Sequence, residues 1–244
     1  MHHTDWNILD TGTQPAENNM LLDAELLENL DQHTLPILHL YNWQGDSATY
    51  GCFVNPSDYL NLEEAKRREL NLAKRPTGGG IVFHIWDLAF SVLIPSNHSY
   101  FSERTLDNYA FVNNAVLAAV SSFLSERPEL IPCNAKGLDP SCARFCMAQP
   151  TKYDVVLHGK KIAGAAQRKT KKGFLHQGTI ALKMPPEEYL RAILRPGTKV
   201  IDAINAHTFP LLGPDDNLEE GRKALRQALQ NQLTREYQYV TNSH

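Results

Sequence analysis

The amino-acid sequence predicts an α+β fold in which short strands, joined by hairpins, form a largely antiparallel sheet between long helices. Two observations carry this. Strand-like runs come in pairs separated by turn residues, as in "GIVFHIWDLAFSVLIP" (residues 80–95) and "YDVVLHGKKIAGAAQRK" (residues 153–169), while helical periodicity is confined to longer segments outside them. The regular βαβαβ alternation of a doubly wound sheet is missing.

In chain order, "AENNMLLDAELLENL" (residues 16–30) spaces its apolar residues as an amphipathic helix, and "PILHLYNW" (36–43) alternates as a strand before a polar turn, "QGDSATYG". "NLEEAKRRELNLAK" (61–74) reads as a second helix, with Asn61 as its cap and acids in its first turn. Residues 80–95 give a strand, a turn near Trp86 and Asp87, and a second strand, read as a hairpin. "LDNYAFVNNAVLAAVSSFL" (106–124) is a long apolar helix. A strand, a turn at His158 and Gly159, and a strand through Lys161 to Ala166 follow, and then another strand at 173–182. From Pro185 onward, residues 186–194 and 217–237 are helical, the latter with a polar outer face.

Composition narrows the class of protein. The chain has 244 residues, 42% hydrophobic and 21% charged, and no repeat or linker divides it. A formal charge of −3 provides no broad basic field for nucleic acid or an anionic membrane. No secretory signal is read at "MHHTDWNILD", and no run approaches the roughly 20 apolar residues of a membrane span, so a soluble cytoplasmic protein is expected. Of the four cysteines, Cys133, Cys142 and Cys146 cluster, but without the paired spacing of a structural zinc site; reduced thiols and no metal site are expected.

Two motifs point to chemistry. "KRPTGGGIVFH" (74–84) sets three glycines between Arg75 and His84 at the start of a strand. It is neither a P-loop nor a dinucleotide-binding turn. Bare backbone N–H groups beside a guanidinium suit a carboxylate or phosphate. In "KYDVVLHGKKIAGAAQ" (152–167), Lys161 is followed by small side chains, which leaves room for a flat or linear substrate beside a point positive charge, with Asp154 at the start of the same hairpin.

With these residues in view, the chain resembles the lipoate-protein ligase and octanoyltransferase superfamily, which shares its catalytic fold with biotin-protein ligases. "AENNMLLD", "RPTGGGIVFH", "YDVVLHGKKIAGAA" and "LHQGTI" are similar, in order, to four family segments across roughly residues 6–184. The resemblance implies a mixed sheet flanked by helices; a single catalytic domain over residues 1–244 is expected, with a core of 6–184, a helical extension at 185–244 and, in departure from many ligases, no accessory C-terminal domain. The resemblance also implies a ligase that uses ATP and Mg2+ to turn lipoate or octanoate into an acyl-adenylate. The acyl group then passes to a lysine on lipoyl domains of 2-oxoacid dehydrogenase E2 subunits or the glycine-cleavage H protein. Carried over by position, Lys161 is the catalytic lysine; Arg75, Thr77, Gly78, Gly79 and Gly80 grip phosphate and carboxylate. His84, Asp154, Gly164, Ala165, His176, Gly178 and Thr179 complete the binding pocket.

The chain departs from the ligase pattern in two further places. The acid expected directly after His84 is replaced by Ile85 and Trp86, with Asp87 displaced, and the Asn-Asp before the hairpin is Tyr153-Asp154. The alternative within the family is an ATP-independent octanoyltransferase, whose nucleophilic cysteine lies eight residues before the hairpin acid, as Cys146 does before Asp154. Such an enzyme takes its acyl group from acyl carrier protein as a thioester. Against it, transferases of that kind have Gly-Gly-Arg where this chain has Gly78 to Gly80, and the ligase is the preferred expectation. A biotin ligase would need a Gly-Arg-Gly-Arg-x-Gly loop that the sequence lacks, and a non-catalytic acyl-binding protein would have little use for both Arg75 and Lys161.

Overall fold

A computed structural model describes residues 5–132, 145, 147 and 152–235. Strands β1 (Asn7–Gln14), β2 (Ile37–Trp43), β6 (Asp87–Pro95), β10 (Gly173–Ala181), β9 (Lys160–Thr170), β8 (Val155–Leu157) and β7 (Glu129–Leu130) form a seven-stranded sheet in that spatial order. Its described pairings are antiparallel except β1 against β2. A second sheet of three strands has the order β4 (Asn71–Lys74), β3 (Ser47–Tyr50), β5 (Ile81–His84), with β3 parallel to β4 and antiparallel to β5. The fold is therefore α+β with a mixed, mostly antiparallel sheet.

Alternation along the central strands sorts the large sheet into two unlike faces. Leu38 and Leu40 of β2, Phe90 and Val92 of β6, and Phe174 and Ile180 of β10 share one apolar cluster with α3 (Thr105–Ser121) and α6 (Leu218–Leu233). The intervening residues, among them His39, Ser91, Gln177 and Thr179, are also buried, but against α1 (Ala16–Glu28) and the small sheet. Buried polar side chains need partners, so this second face is where a site can be built.

Four sequence expectations are corrected. The "polar turn" at 44–51 contains β3, whose Ser47 and Thr49 are fully buried: both faces of this strand are covered, so its polar residues do not mark a solvent-facing side. The helix expected over 61–74 stops early, as α2 (Leu62–Arg67); Glu69 turns into the left-handed region at φ 56 and "NLAK" becomes β4. Strands β5 and β6 do form, but not as a hairpin, because β5 pairs with β3 while β6 pairs with β2 and β10. Strand β1, polar and at the sheet edge, and α5 (Val200–His207) were not anticipated.

The C-terminal extension is not separable in its packing. Leu190 and Ile193 of α4 (Glu187–Ile193) and Val200 and Ile204 of α5 share a core with Ala48 and Phe83 of the small sheet. Leu225, Leu229 and Leu233 of α6 enter the core beneath the large one. The segment after α5 pairs with the backbone of β9 and β10: Phe209 N donates to Lys161 O at 2.8 Å, and Leu211 N to Ala181 O at 3.0 Å. Among the described residues no helix is long and apolar enough to cross a membrane. Leu229 is fully buried, so Leu229→Ala is expected to cost about 2–5 kcal/mol in urea denaturation. Because α6 shares the core, that loss should lower the midpoint of the whole transition rather than fray one helix.

Candidate active site

Lys161 reaches the site through a distortion of its strand. Val155 pairs with Ala163 but Val156 with Lys161, so Ile162 is an extra residue, a β-bulge. The bulge leaves Ile162 and Ala163 both in the core and brings Lys161 onto the same side as Gly164, which regular alternation would place opposite. The side chain then lies across Gly164, where a Cβ would collide with Lys161 Cε and Nζ. It ends on Asp154, Nζ to Oδ2 at 2.8 Å, with both side chains at most 4% exposed. Asp154 is fixed in turn: its carbonyl accepts from Ile131 N, and Asn113 Nδ2 of α3 donates to the carbonyl of Tyr153. Tyr153 holds φ 69, a conformation that the asparagine implied by the resemblance tolerates more readily.

Arg75, which lines a cavity together with Lys161, braces the glycine loop. Arg75, buried at 5% exposure, gives all four terminal N–H groups to protein acceptors. Nη1 donates to Thr49 O at 3.0 Å and Thr49 Oγ1 at 2.8 Å, and Nη2 to Gly78 O at 3.1 Å and Gly80 O at 2.8 Å. The guanidinium holds the loop from behind rather than offering those groups to a ligand, which revises the role implied for it. Gly79 adopts φ 87, and its carbonyl lies where a side chain at Gly51 would be, so Gly51 is as necessary to this loop as its own glycines. Around Gly78 an added Cβ would meet nothing. Thr77 Oγ1 donates to Gln177 Oε1 at 2.7 Å, and Gln177 Nε2 donates to Asp23 Oδ2 at 2.6 Å.

Two cavities that share Val82, Met147 and Thr179 open on this face of the sheet. The first is lined by Lys161, Arg75, His84 and Gln177, with Gly164, Ala165, Gly178 and Thr179 among its walls. The second forms an arm past Ile81, Phe83, Phe145 and Ile204. The surface of both is mainly apolar, and an apolar slot with a few charged groups in its wall suits a carboxyl-derived group with a hydrocarbon tail. Among the described residues no group of three or more His, Cys, Asp or Glu gathers as a metal site.

His84 lies in the wall, stacked on Trp43 with ring centroids 4.2 Å apart. The displaced acid is in contact with it after all: His84 Nδ1 donates to Asp87 Oδ2 at 2.6 Å, and Thr179 Oγ1 donates to the same oxygen at 2.6 Å. Asp23, Thr49, Asp87, Gly51 and Gln177 were not picked out from the sequence. Each acts through another side chain or the loop backbone, and only the carboxylate three residues beyond His84 left a readable signal.

His176 is corrected. It sits on the opposite face of β10 from Gln177 and Thr179, against Phe90 and Tyr109, and does not line the cavity. Gly178 likewise owes its lack of a side chain to the Phe90 ring. Gln167 Nε2 donates to His176 Nδ1 at 2.8 Å, and burial without a counter-charge pushes the imidazole down from 6.5 to about 3. Cys146, with Cys133 and Cys142, lies outside the described residues.

A buried lysine that shares an apolar cavity with the arginine behind a bare-backbone loop suits a class of enzyme that handles acyl groups. The chain belongs to the lipoyl protein ligase A/B catalytic domain family, whose model matches residues 15–211. It is 25% identical to the octanoyltransferase LipM of Bacillus subtilis (strain 168), over 96% of this chain and 88% of that protein. Among solved structures it superposes on a lipoate-protein ligase A bound with ATP (TM-score 0.66, 23% identity, 93% of this chain and 84% of that one). It also matches the structure describing a bipartite lipoate protein ligase and its E2 lipoyl domain from Thermoplasma acidophilum (TM-score 0.65, 22% identity, 95% and 84%). At these identities the structures establish the shared fold.

Two measurements test this geometry. Gly164→Ala should cost about 1–3 kcal/mol of overpacking in urea denaturation, and close to nothing in a Lys161→Ala background, where the colliding atoms are gone. For His176, whose folded value is lowered, the stabilisation is complete above the unfolded value of 6.5 and is lost as pH falls from there towards about 3. The stability of wild type relative to His176→Leu should be constant above 6.5, fall as pH drops from there to about 3, and level off below.

Proposed function

We propose that the protein is an octanoyltransferase that moves an octanoyl group from a carrier-protein thioester to a lysine of a lipoyl domain, without ATP. Resemblance in the sequence put the ATP-dependent ligase first; the observation that carries the reverse order is the likeness to the Bacillus subtilis octanoyltransferase across nearly the whole chain. Two features add support. Cys146 precedes Asp154 by eight residues, and its neighbour in sequence, Met147, lines both cavities. Arg75 spends its terminal donors on Thr49 and the loop instead of keeping them for a phosphate.

In this reading the Cys146 thiolate attacks the thioester carbonyl of the donor. A carbon–sulfur bond forms to Cys146, the carrier thiolate leaves, and it takes a proton from solvent. The neutral ε-amine of the acceptor lysine then attacks the Cys146 thioester. An amide bond forms, the Cys146 thiolate is released, and the amine's proton passes to solvent. In both steps negative charge develops on the carbonyl oxygen. The Lys161 ammonium, fixed by Asp154, and the N–H groups of the glycine loop stabilise it, while the apolar arm holds the hydrocarbon tail. An octanoyl tail is expected in that arm, and lipoate differs from octanoate only in its dithiolane.

The deciding assay supplies octanoyl-carrier protein and lipoyl domain without nucleotide. Octanoyl-domain should form, with a Cys146-linked octanoyl adduct visible by mass spectrometry. Cys146→Ala should lower turnover at least about 10³-fold, and Lys161→Ala about 10²–10³-fold. Turnover that appears only with free octanoate or lipoate and ATP with Mg2+, and that survives Cys146→Ala, would assign the ligase chemistry instead.

A further inference from the structure

We propose that Thr49, His84 and Asp87 are positioning residues, which act through Arg75 to aim the backbone N–H of Gly79 at the reacting carbonyl oxygen. The inference rests on the acyl-transfer reading and deepens it. Asp87 Oδ2 accepts from His84 Nδ1 at 2.6 Å, His84 Nε2 meets Thr49 Oγ1 at 2.8 Å, and Thr49 Oγ1 meets Arg75 Nη1 at 2.8 Å. Donor and acceptor capacity fixes the direction at both ends of the chain. Arginine can only donate, so Thr49 accepts from Arg75, and a carboxylate can only accept, so Asp87 takes the hydrogen of His84 Nδ1. Thr179 supplies a second donor to the same carboxylate at 2.6 Å. All the residues of the relay are buried, so each bond lies where water competes poorly.

The far end of the relay is the loop. Arg75 Nη2 holds the carbonyls of Gly78 and Gly80. A peptide unit is planar and trans, with its carbonyl and the following N–H pointing opposite ways. Fixing the Gly78 carbonyl on Arg75 therefore turns the Gly79 N–H away from the guanidinium. The positive φ of Gly79 permits this orientation. A donor aimed in advance costs no reorganisation when charge develops. The relay thus makes Asp87, separated from the loop by three side chains, a determinant of turnover.

The test removes one link while keeping its shape. Thr49→Val deletes the hydroxyl and Thr49→Ser restores it. Hydrogen exchange of the 75–84 segment, read without substrate, should speed up about tenfold in Thr49→Val and return in Thr49→Ser. In the octanoyl-transfer assay kcat should fall about 10–100-fold, with KM for the donor within about threefold, and Thr49→Ser should recover it. Should Thr49→Val not fold, Asp87→Asn is read the same way. Loop exchange and kcat unchanged in a folded variant would overturn the proposal, as would a loosened loop with full turnover. Because exchange is measured without substrate, an inactive wild type would count against the acyl-transfer reading alone.

Discussion

Lys161 carries an ammonium into the protein interior, and much of the local architecture is what that requires. Removing such a charge from water costs several kcal/mol, offset only by a counter-charge held in good geometry. Asp154 supplies it at 2.8 Å. The bulge at Ile162 then turns the lysine to the correct face, Gly164 leaves a path for its methylenes, and Phe209 pins its carbonyl from outside the strand. Each feature is local, and each follows from the same need. A lysine held this way is a fixed positive charge, which suits it to stabilising an oxyanion and not to shuttling protons.

The glycine loop presents the complementary problem, because a segment without side chains has nothing of its own to fix it. The protein anchors it through two buried carboxylates on the polar face of the large sheet. Asp87 acts through His84, Thr49 and Arg75. Asp23 acts through Gln177 on Thr77, and is itself fixed by His39 at 2.8 Å and Ser91 at 2.6 Å. The loop's stiffness is thus borrowed from β2, β6 and β10, the most deeply buried strands of the large sheet.

How much of this was legible in the sequence divides along a physical line. The Lys161 hairpin, the triple glycine and the long helix α3 were readable because backbone propensity and side-chain pattern agree there. Strand β3 was not, since Ser47 and Thr49 bury polar atoms that a period-two reading takes for solvent-facing. The helix drawn through 61–74 failed at Glu69, where one left-handed residue ends a pattern that composition alone continues. At the site, Lys161, the loop and part of the cavity wall were found, while Thr49 and Gln177 in that wall and Asp23 and Gly51 behind it were missed. His176 shows the converse error: a polar residue in a familiar string, one position out of phase with the cavity, faces the helices instead.

The bond from Phe209 N to Lys161 O ties the reactive strand to a part of the chain that lies 48 residues later, and α6 closes the core beneath it later still. A ribosome delivers the lysine long before it delivers these clamps. Domains made in that order fold as units once their last buried element has emerged. The nascent polypeptide therefore passes most of its synthesis with its chemistry encoded but not assembled, and competence arrives only with the closing helix.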